Sequence, residues 1–343
     1  MLNIYVVGCG GIGCYIIERL SMVLGSLTLD LLQPGDREEA YTTLGSEPLH
    51  CLVDRIVLID GDRFNPRNAV RQRAGAGDKV VQRVRMLKNQ MALYQKAVYG
   101  VRDVKQDIQD LKEILARPSL DGLDRNVGIL QDEQQLTGEL LDSLKDDMIR
   151  AVALQPTEII GVRRYLNPDN IRAIIPLNPP AGKHDDYWTP VEASRKDTGL
   201  PSLNTTVIFL GVDNKKTRYE VQKYAEKFDN VLLINGGNDK TTGQVNVYER
   251  QNGVAFDPTL YDLYPDISPD ADRRPDEVEC GAVAPKHDQI AITNSMIANL
   301  MFSWFVKWAR NGLFVTEKGK RKRYNEVLLD IEKPSVMPLC HPM

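Results

Sequence analysis

Residues 5–20, YVVGCGGIGCYIIERL, leave the backbone few choices. Gly8, Gly10, Gly11 and Gly13 follow an apolar run, Leu2 to Val7, that reads as a buried strand. They precede a segment from Gly11 to Leu24 whose apolar residues Ile12, Ile16, Ile17 and Leu20 recur at helical spacing. Strand, tight glycine turn and helix start are the parts a phosphate-binding loop requires, because the free N–H groups of a helix N-terminus point at an anion. Taken alone, the loop fits a redox dinucleotide and ATP equally well.

The rest of the chain supplies the strands and helices that such a loop needs around it. DRIVLIDGD is a second strand ending at Ile59, just before Asp60, and the segment from about 25 to 52 between the two strands reads as an insertion. Asp78 to Lys96 has helical spacing. From 103 to 203 the pattern breaks: DIQDLKEILARP and LTGELLDSLKDDMIRAV look helical, whereas NPDNIRAIIPLNPPAGKHDDYWTP is interrupted by prolines and reads as loop. The alternation resumes with TTVIFLGVDN as a strand, Lys215 to Phe228 as a helix, then NVLLING and GQVNVYE as strands. Such alternation implies an α/β fold with a doubly wound, Rossmann-like, mainly parallel sheet carrying an inserted helical and loop subdomain. The expected division is 1–102 and 204–343 as two parts of one nucleotide-binding domain, with 103–203 inserted and a crossover loop at about 250–280.

The 343 residues suffice for such a domain with insertions. A hydrophobic share of 42% and a charged share of 26% are those of a globular protein, and a net charge of −4 argues against a chain that grips nucleic acid. The five cysteines, Cys9, Cys14, Cys51, Cys280 and Cys340, form no C-x-x-C pair, which fits a reducing, cytoplasmic setting. The N-terminus lacks a basic n-region or cleavage site. The most apolar late stretch, IAITNSMIANLMFSWFVKW, carries Asn294, Ser295, Asn299, Ser303 and Lys307, so a buried helix is expected there and no membrane span.

Two clusters discriminate between cofactors. A dinucleotide dehydrogenase places its ribose-binding acid about 20 residues after the glycines, whereas Asp60 comes 47 positions after Gly13, a distance only an insertion accommodates. Asn68, Arg71, Gln72 and Lys79 follow in DGDRFNPRNAVRQ and GDKV, beside the carboxyl edge of the sheet. Two cations and two amides suit a triphosphate and the charge on a departing pyrophosphate; a nicotinamide site has little use for them. Asp213 ends the strand VIFLGVDN. A bare carboxylate there repels a pyrophosphate, but with Mg²⁺ between them it becomes a metal ligand, which favours ATP.

GCGGIG, DGDRFNPRNAVRQ, GDKV, GVDNKKTR and GQVNVY stand in the order and local spacing of the ThiF/MoeB adenylating enzymes, relatives of the ubiquitin-activating enzymes, and the chain resembles that family over roughly residues 2–97 and 205–310. The resemblance implies that Gly8, Gly10, Gly11 and Gly13 cradle ATP and that Asp60 binds its ribose, with Asp62 counted among the cofactor-binding residues. It further implies that Asn68, Arg71, Gln72 and Lys79 contact phosphates and that Asp213 holds Mg²⁺, with Arg71, Lys79 and Asp213 as the catalytic charges. Arg218 matches the Asp-Asn-x3-Arg pattern, as a ligand or as a structural residue of its helix. The implied reaction is attack on the α-phosphate by a carboxylate, in this family the C-terminal glycine of a ubiquitin-like or sulfur-carrier protein, giving an acyl-adenylate and pyrophosphate. A symmetric homodimer is the implied assembly.

DEVECGAVAPKHDQ sets Cys280 at the end of an acidic loop, Asp257 to Glu279, with Pro285 five positions on. This resembles the activating enzymes of autophagy and UFM conjugation, in which such a cysteine carries the acyl group as a thioester; the alternative is a small packing residue. Cys9 and Cys14 read as spacers or core. The paired cysteines that hold zinc in many relatives are missing, so no zinc is expected. The N-terminal helix by which some relatives reach the partner's ATP is not expected either, since the sequence opens on the first strand. KGKRKR, Lys318 to Arg323, reads as a solvated turn before the strand NEVLLDI, or else as a dock for an acidic partner or nucleic acid. His184, Asp185, Asp186 and His287 read as surface residues, and Tyr187 and Trp188 as partner contacts or subdomain core. Rival readings are adenylation of a peptide C-terminus or other small substrate, an inactive scaffold homologue, and an NAD-dependent oxidoreductase.

Overall fold

A computed structural model describes residues 2–31, 53–64, 77–99, 157–178, 201–202, 204–272, 277, 291–317 and 320–342. Five strands, β1 (Leu2–Val7), β2 (Val53–Ile59), β3 (Glu158–Val162), β4 (Thr206–Leu210) and β5 (Val231–Asn238), pair in parallel in the spatial order β3-β2-β1-β4-β5. Beyond β5 the sheet turns antiparallel through β6 (Thr242–Gln251). The two-residue β7 (Val254–Ala255) pairs with β6, while β8 (Phe314–Glu317) and β9 (Lys320–Arg323) form a separate hairpin. β10 (Glu326–Asp330) and the edge strand β11 (Ser335–Leu339) complete the sheet. The architecture is thus α/β with a Rossmann-like sheet, as the alternation of strands and helices implies.

Among the described residues the helices are α1 (Gly11–Leu31), α2 (Lys79–Tyr99), α3 (Ile171–Ile174), α4 (Lys215–Ala225), α5 (Leu260–Leu263) and α6 (Ala291–Asn311). Side chains alternate across a strand, so a strand buried on both faces feeds two cores. Ile4 and Val6 of β1 join Phe209, Ile234, Ile16, Ile17, Phe305 and Trp308 on the face covered by α1 and α6. Tyr5 and Val7 join Ile208, Leu233, Val221 and Tyr224 on the face covered by α3 and α4. Among the described residues no helix is long and apolar enough to cross a membrane.

Three features depart from expectation or extend it. Helix α1 runs past Leu24 to Leu31. The stretch 103–203, expected to form an inserted subdomain, supplies β3, which pairs with β2 from Arg55↔Glu158 to Ile59↔Val162. The basic run is no solvated turn at its end: Lys320–Arg323 is strand β9, and Arg323 is buried with its guanidinium on Asp257 (Nε to Oδ1, 2.5 Å) and Glu249 (Nη2 to Oε2, 2.6 Å). Trp308 Nε1 donates to Glu249 Oε1 at 2.7 Å, and the Glu249 N–H to Asp257 Oδ2 at 3.0 Å. A guanidinium is expelled from a dry interior unless acidic partners meet its fork, and here two carboxylates do.

Candidate functional site

Where the strand order reverses, between β1 and β4, the connections leave in opposite directions and open a crevice at the carboxyl ends. A cleft of about 160 Å³ lies there, lined by Gly8, Gly10 and Gly11 at its floor, Asp60, Asp62, Lys79 and Tyr165 on one wall, and Gly211, Val212 and Asp213 on the other. Gly8 has φ +88°, and its N–H donates to the Ile59 carbonyl at 2.8 Å. The first turn of α1 crosses so close behind it that a Cβ on Gly13 would stand 1.7 Å from the Gly8 carbonyl oxygen. Gly13 therefore lets the helix approach the loop, while the other three glycines face the cleft. The N-terminus of α1, with its unpaired N–H groups and partial positive charge, opens into the cleft.

On the β2 side two carboxylates have different surroundings. Asp60 accepts the Cys9 N–H through Oδ2 and the Asp62 N–H through Oδ1, both at 2.7 Å, and so ties the glycine loop to the end of β2. Burial pushes its carboxyl above the usual value, with the Lys79 cation opposing the shift. Asp62 is about half exposed; its Oδ2 receives the buried Lys79 ammonium at 2.7 Å and its Oδ1 the Tyr165 hydroxyl. The Phe64 N–H donates to the Gly77 carbonyl at 2.8 Å, just ahead of Lys79, which reaches the cleft from the start of α2.

On the β4 side Asp213 is exposed at the cleft edge. Asn214 next to it caps α4 by accepting the Thr217 N–H at 2.8 Å. Arg218 is buried and donates to the Val212 carbonyl at 2.9 and 2.6 Å and to the Gly236 carbonyl at 3.2 Å. Burial lowers its pKa, with the Asp213 charge acting in the opposite direction. Those contacts make Arg218 the residue that shapes the turn carrying Asp213. The acidic loop is pinned to the start of α4: Asp272 accepts the Lys215 and Lys216 N–H groups at 2.9 and 3.2 Å, Lys215 meets Asp266 at 2.6 Å, and Lys216 meets Glu277 at 2.8 Å.

The fold thus brings Gly8, Gly10, Gly11, Asp60, Asp62, Lys79 and Asp213 to one cleft. Asn68, Arg71, Gln72 and Cys280 lie outside the described residues, as do Cys51, His184, Asp185, Asp186, Tyr187, Trp188 and His287. Cys9 and Cys14 are buried; the Cys9 thiol is pushed well up by burial and by the nearby Asp60 charge. Among the described residues no group of three or more His, Cys, Asp or Glu side chains could cage a metal. Tyr165 was not foreseen. The available signal was EIIGV, a short apolar run placing the following Arg-Arg-Tyr at a strand's carboxyl end.

No protein-family model matches the chain, and no curated protein sequence matches it. Among solved structures, E. coli MccB with ATP is similar at 11% identity and a TM-score of 0.46, over 99% of this chain and 64% of that one. E. coli MccB with MccA is similar at 11% identity and 0.43, over 99% and 63%. PaaA is similar at 12% identity and 0.43, over 99% and 73%. The chain spans less than two thirds of the length of the MccB structures. Likeness of this degree carries no argument about chemistry.

Proposed function

We propose that this chain is an ATP-dependent adenylating enzyme that activates a C-terminal carboxylate. The observation that supports this most is the pairing, across one cleft, of the Lys79 ammonium and the exposed Asp213 carboxylate on either side of the α1 N-terminus. The α1 N–H groups and Lys79 receive phosphate oxygens; Asp60 and Asp62 stand at the ribose end. Mg²⁺ fits Asp213, since this ion is commonly held by one or two carboxylates together with substrate phosphates and water. When bound it neutralises charge on the phosphates. Asn68, Arg71 and Gln72 belong to the same proposal as further phosphate contacts.

The attacking carboxylate is already an anion, so no general base is required, and catalysis consists of placement and charge neutralisation. The substrate proposed is the C-terminal glycine of a ubiquitin-like or sulfur-carrier protein, with a peptide C-terminus as the alternative, and the working assembly a homodimer. Transfer to Cys280 as a thioester is a second step of the same reading.

ATP–pyrophosphate exchange tests it. Exchange is expected with a protein or peptide ending in the right carboxylate, and Asp213→Ala should abolish it while the circular dichroism spectrum stays unchanged. Full exchange by the variant would remove the metal role of Asp213, and absence of ATP binding by the wild type would end the proposal.

A further inference from the structure

We infer that the protein binds one internal water molecule, held by the side-chain amides of Gln222, Asn235 and Asn246, as a fixed part of the seam between α4 and the sheet. The site lies away from the nucleotide cleft, and the inference stands independently of the proposed function. Asn235 of β5, Asn246 of β6 and Glu326 of β10 are direct neighbours across the ladder, Asn235↔Asn246 and Asn246↔Glu326. Leu233 and Tyr248, two positions away on the same strands, belong to the apolar core under α4, so the three form a polar rung within that layer. Such a rung is costly unless each of its polar atoms is matched. At the β10 end they are: the Glu326 carboxylate accepts the Asn246 Nδ2 at 2.9 Å and the Tyr264 hydroxyl, and meets His341 Nε2 at 2.5 Å.

At the α4 end they are not. Gln222 Nε2, both amide atoms of Asn235 and Asn246 Oδ1 are buried and have no hydrogen-bond partner among the described residues, the three side chains belonging to residues that are 1, 2 and 4% exposed. All three residues line one cavity of about 10 Å³, walled by Leu233, Val247 and Leu260 and roughly the room a single water needs. Two of the amides are oriented by their other partners. Asn246 keeps its amino group on Glu326, since a carboxylate only accepts, and Oδ1 is the atom left over. Gln222 Oε1 takes the Leu260 N–H at 3.4 Å, which leaves Nε2. The cavity is thus offered a donor by Gln222, an acceptor by Asn246 and either one by Asn235. A cation has no use for the donor, an anion none for the acceptor and an apolar guest none for either; water accepts and donates. Immobilising it costs less than leaving these amides dry. Bound there, it joins α4 to β5 and β6, and through Asn246 to Glu326 and β10.

A crystal structure of the full chain at a resolution that shows ordered solvent tests this directly: it should hold a water within about 3.2 Å of Gln222 Nε2, Asn246 Oδ1 and the Asn235 amide. Oxygen-17 relaxation dispersion reads the same site in solution. Wild type should carry about one long-lived water more than Asn235→Leu, whose side chain occupies the space and offers no amide. Three results would each overturn the inference: amides paired on one another around a dry cavity, a metal ion in the cavity, or equal numbers of long-lived waters in wild type and a folded Asn235→Leu protein. Should Asn235→Leu not fold, Gln222→Met takes its place in the comparison, and should neither fold, the wild-type electron density decides.

Discussion

Gly13→Ala sets two effects of known size against each other. Alanine favours a helix interior by up to about 1 kcal/mol over glycine, so on propensity alone the change should stabilise α1. The new Cβ would lie 1.7 Å from the Gly8 carbonyl oxygen, where a carbon and an oxygen normally keep about 3.3 Å. One of them must retreat by roughly 1.5 Å to restore that contact. Gly8 has no room: its N–H is fixed on Ile59 at 2.8 Å, and its own α-carbon faces the Gly211 carbonyl across the β1–β4 crevice, near enough that a Cβ on Gly8 would approach that oxygen to 2.9 Å. Overpacking of this kind costs about 1–3 kcal/mol, which outweighs the propensity gain. At about 2–4 °C per kcal/mol for a large domain, the melting temperature should fall by several degrees. On the proposed function the greater loss falls on ATP affinity, because the displaced backbone is the loop proposed to cradle the phosphates. Thermal unfolding with and without Mg-ATP measures both: a lower Tm, and a ligand-induced rise that shrinks or vanishes. A Gly13→Ala protein with wild-type Tm and an undiminished ATP-induced rise would refute the reasoning.

Two further outcomes follow from the loop beyond β7. The Lys215 ammonium holds the Asp266 carboxyl below its ordinary 3.8, so the folded state binds that proton less readily than the unfolded one. The pair therefore contributes stability above pH 3.8 that is lost as pH falls through the folded value; the difference in urea stability between wild type and Asp266→Asn should shrink on acidification. The pair is exposed, so the effect is small and raised salt should erase it; a difference that persists in acid contradicts the assignment. For Cys280, incubation with Mg-ATP and a ubiquitin-like protein should give a reductant-sensitive adduct in wild type and no reductant-sensitive adduct in Cys280→Ser, with pyrophosphate exchange retained; a reductant-sensitive adduct on the serine variant would place the acyl group on another residue.

The parts of the fold legible in the sequence are those whose burial is written locally. Leu2–Val7 and Thr206–Leu210 are runs of residues buried on both faces, and Ile12, Ile16, Ile17 and Leu20 mark the inner stripe of α1, so their patterns match where they lie. β3 escaped because it has five residues, two of them exposed, and an edge position asks for little apolar signal. Arg323 escaped for a different reason. A basic run reads as solvated unless its acids are in view, and Asp257 and Glu249 stand 66 and 74 positions earlier in the chain. At the site, the glycines, Asp60, Lys79 and Asp213 were readable because each ends or begins a recognisable element. Tyr165 depended on β3 and went unseen with it. The roles expected of Asn68, Arg71, Gln72 and Cys280 rest on sequence alone.

The burial of Arg323 bears on where this chain can be cut. Glu249 and Asp257 belong to the stretch that leads from the sheet into the acidic loop, yet the positive charge they surround arrives only with the second strand of a late hairpin. A protein ending before residue 320 would strand two carboxylates in a dry interior, beside an indole N–H that only one of them could satisfy. That late hairpin thus supplies the counter-ion of this stretch, and anyone trimming this polypeptide for crystallisation should trim elsewhere.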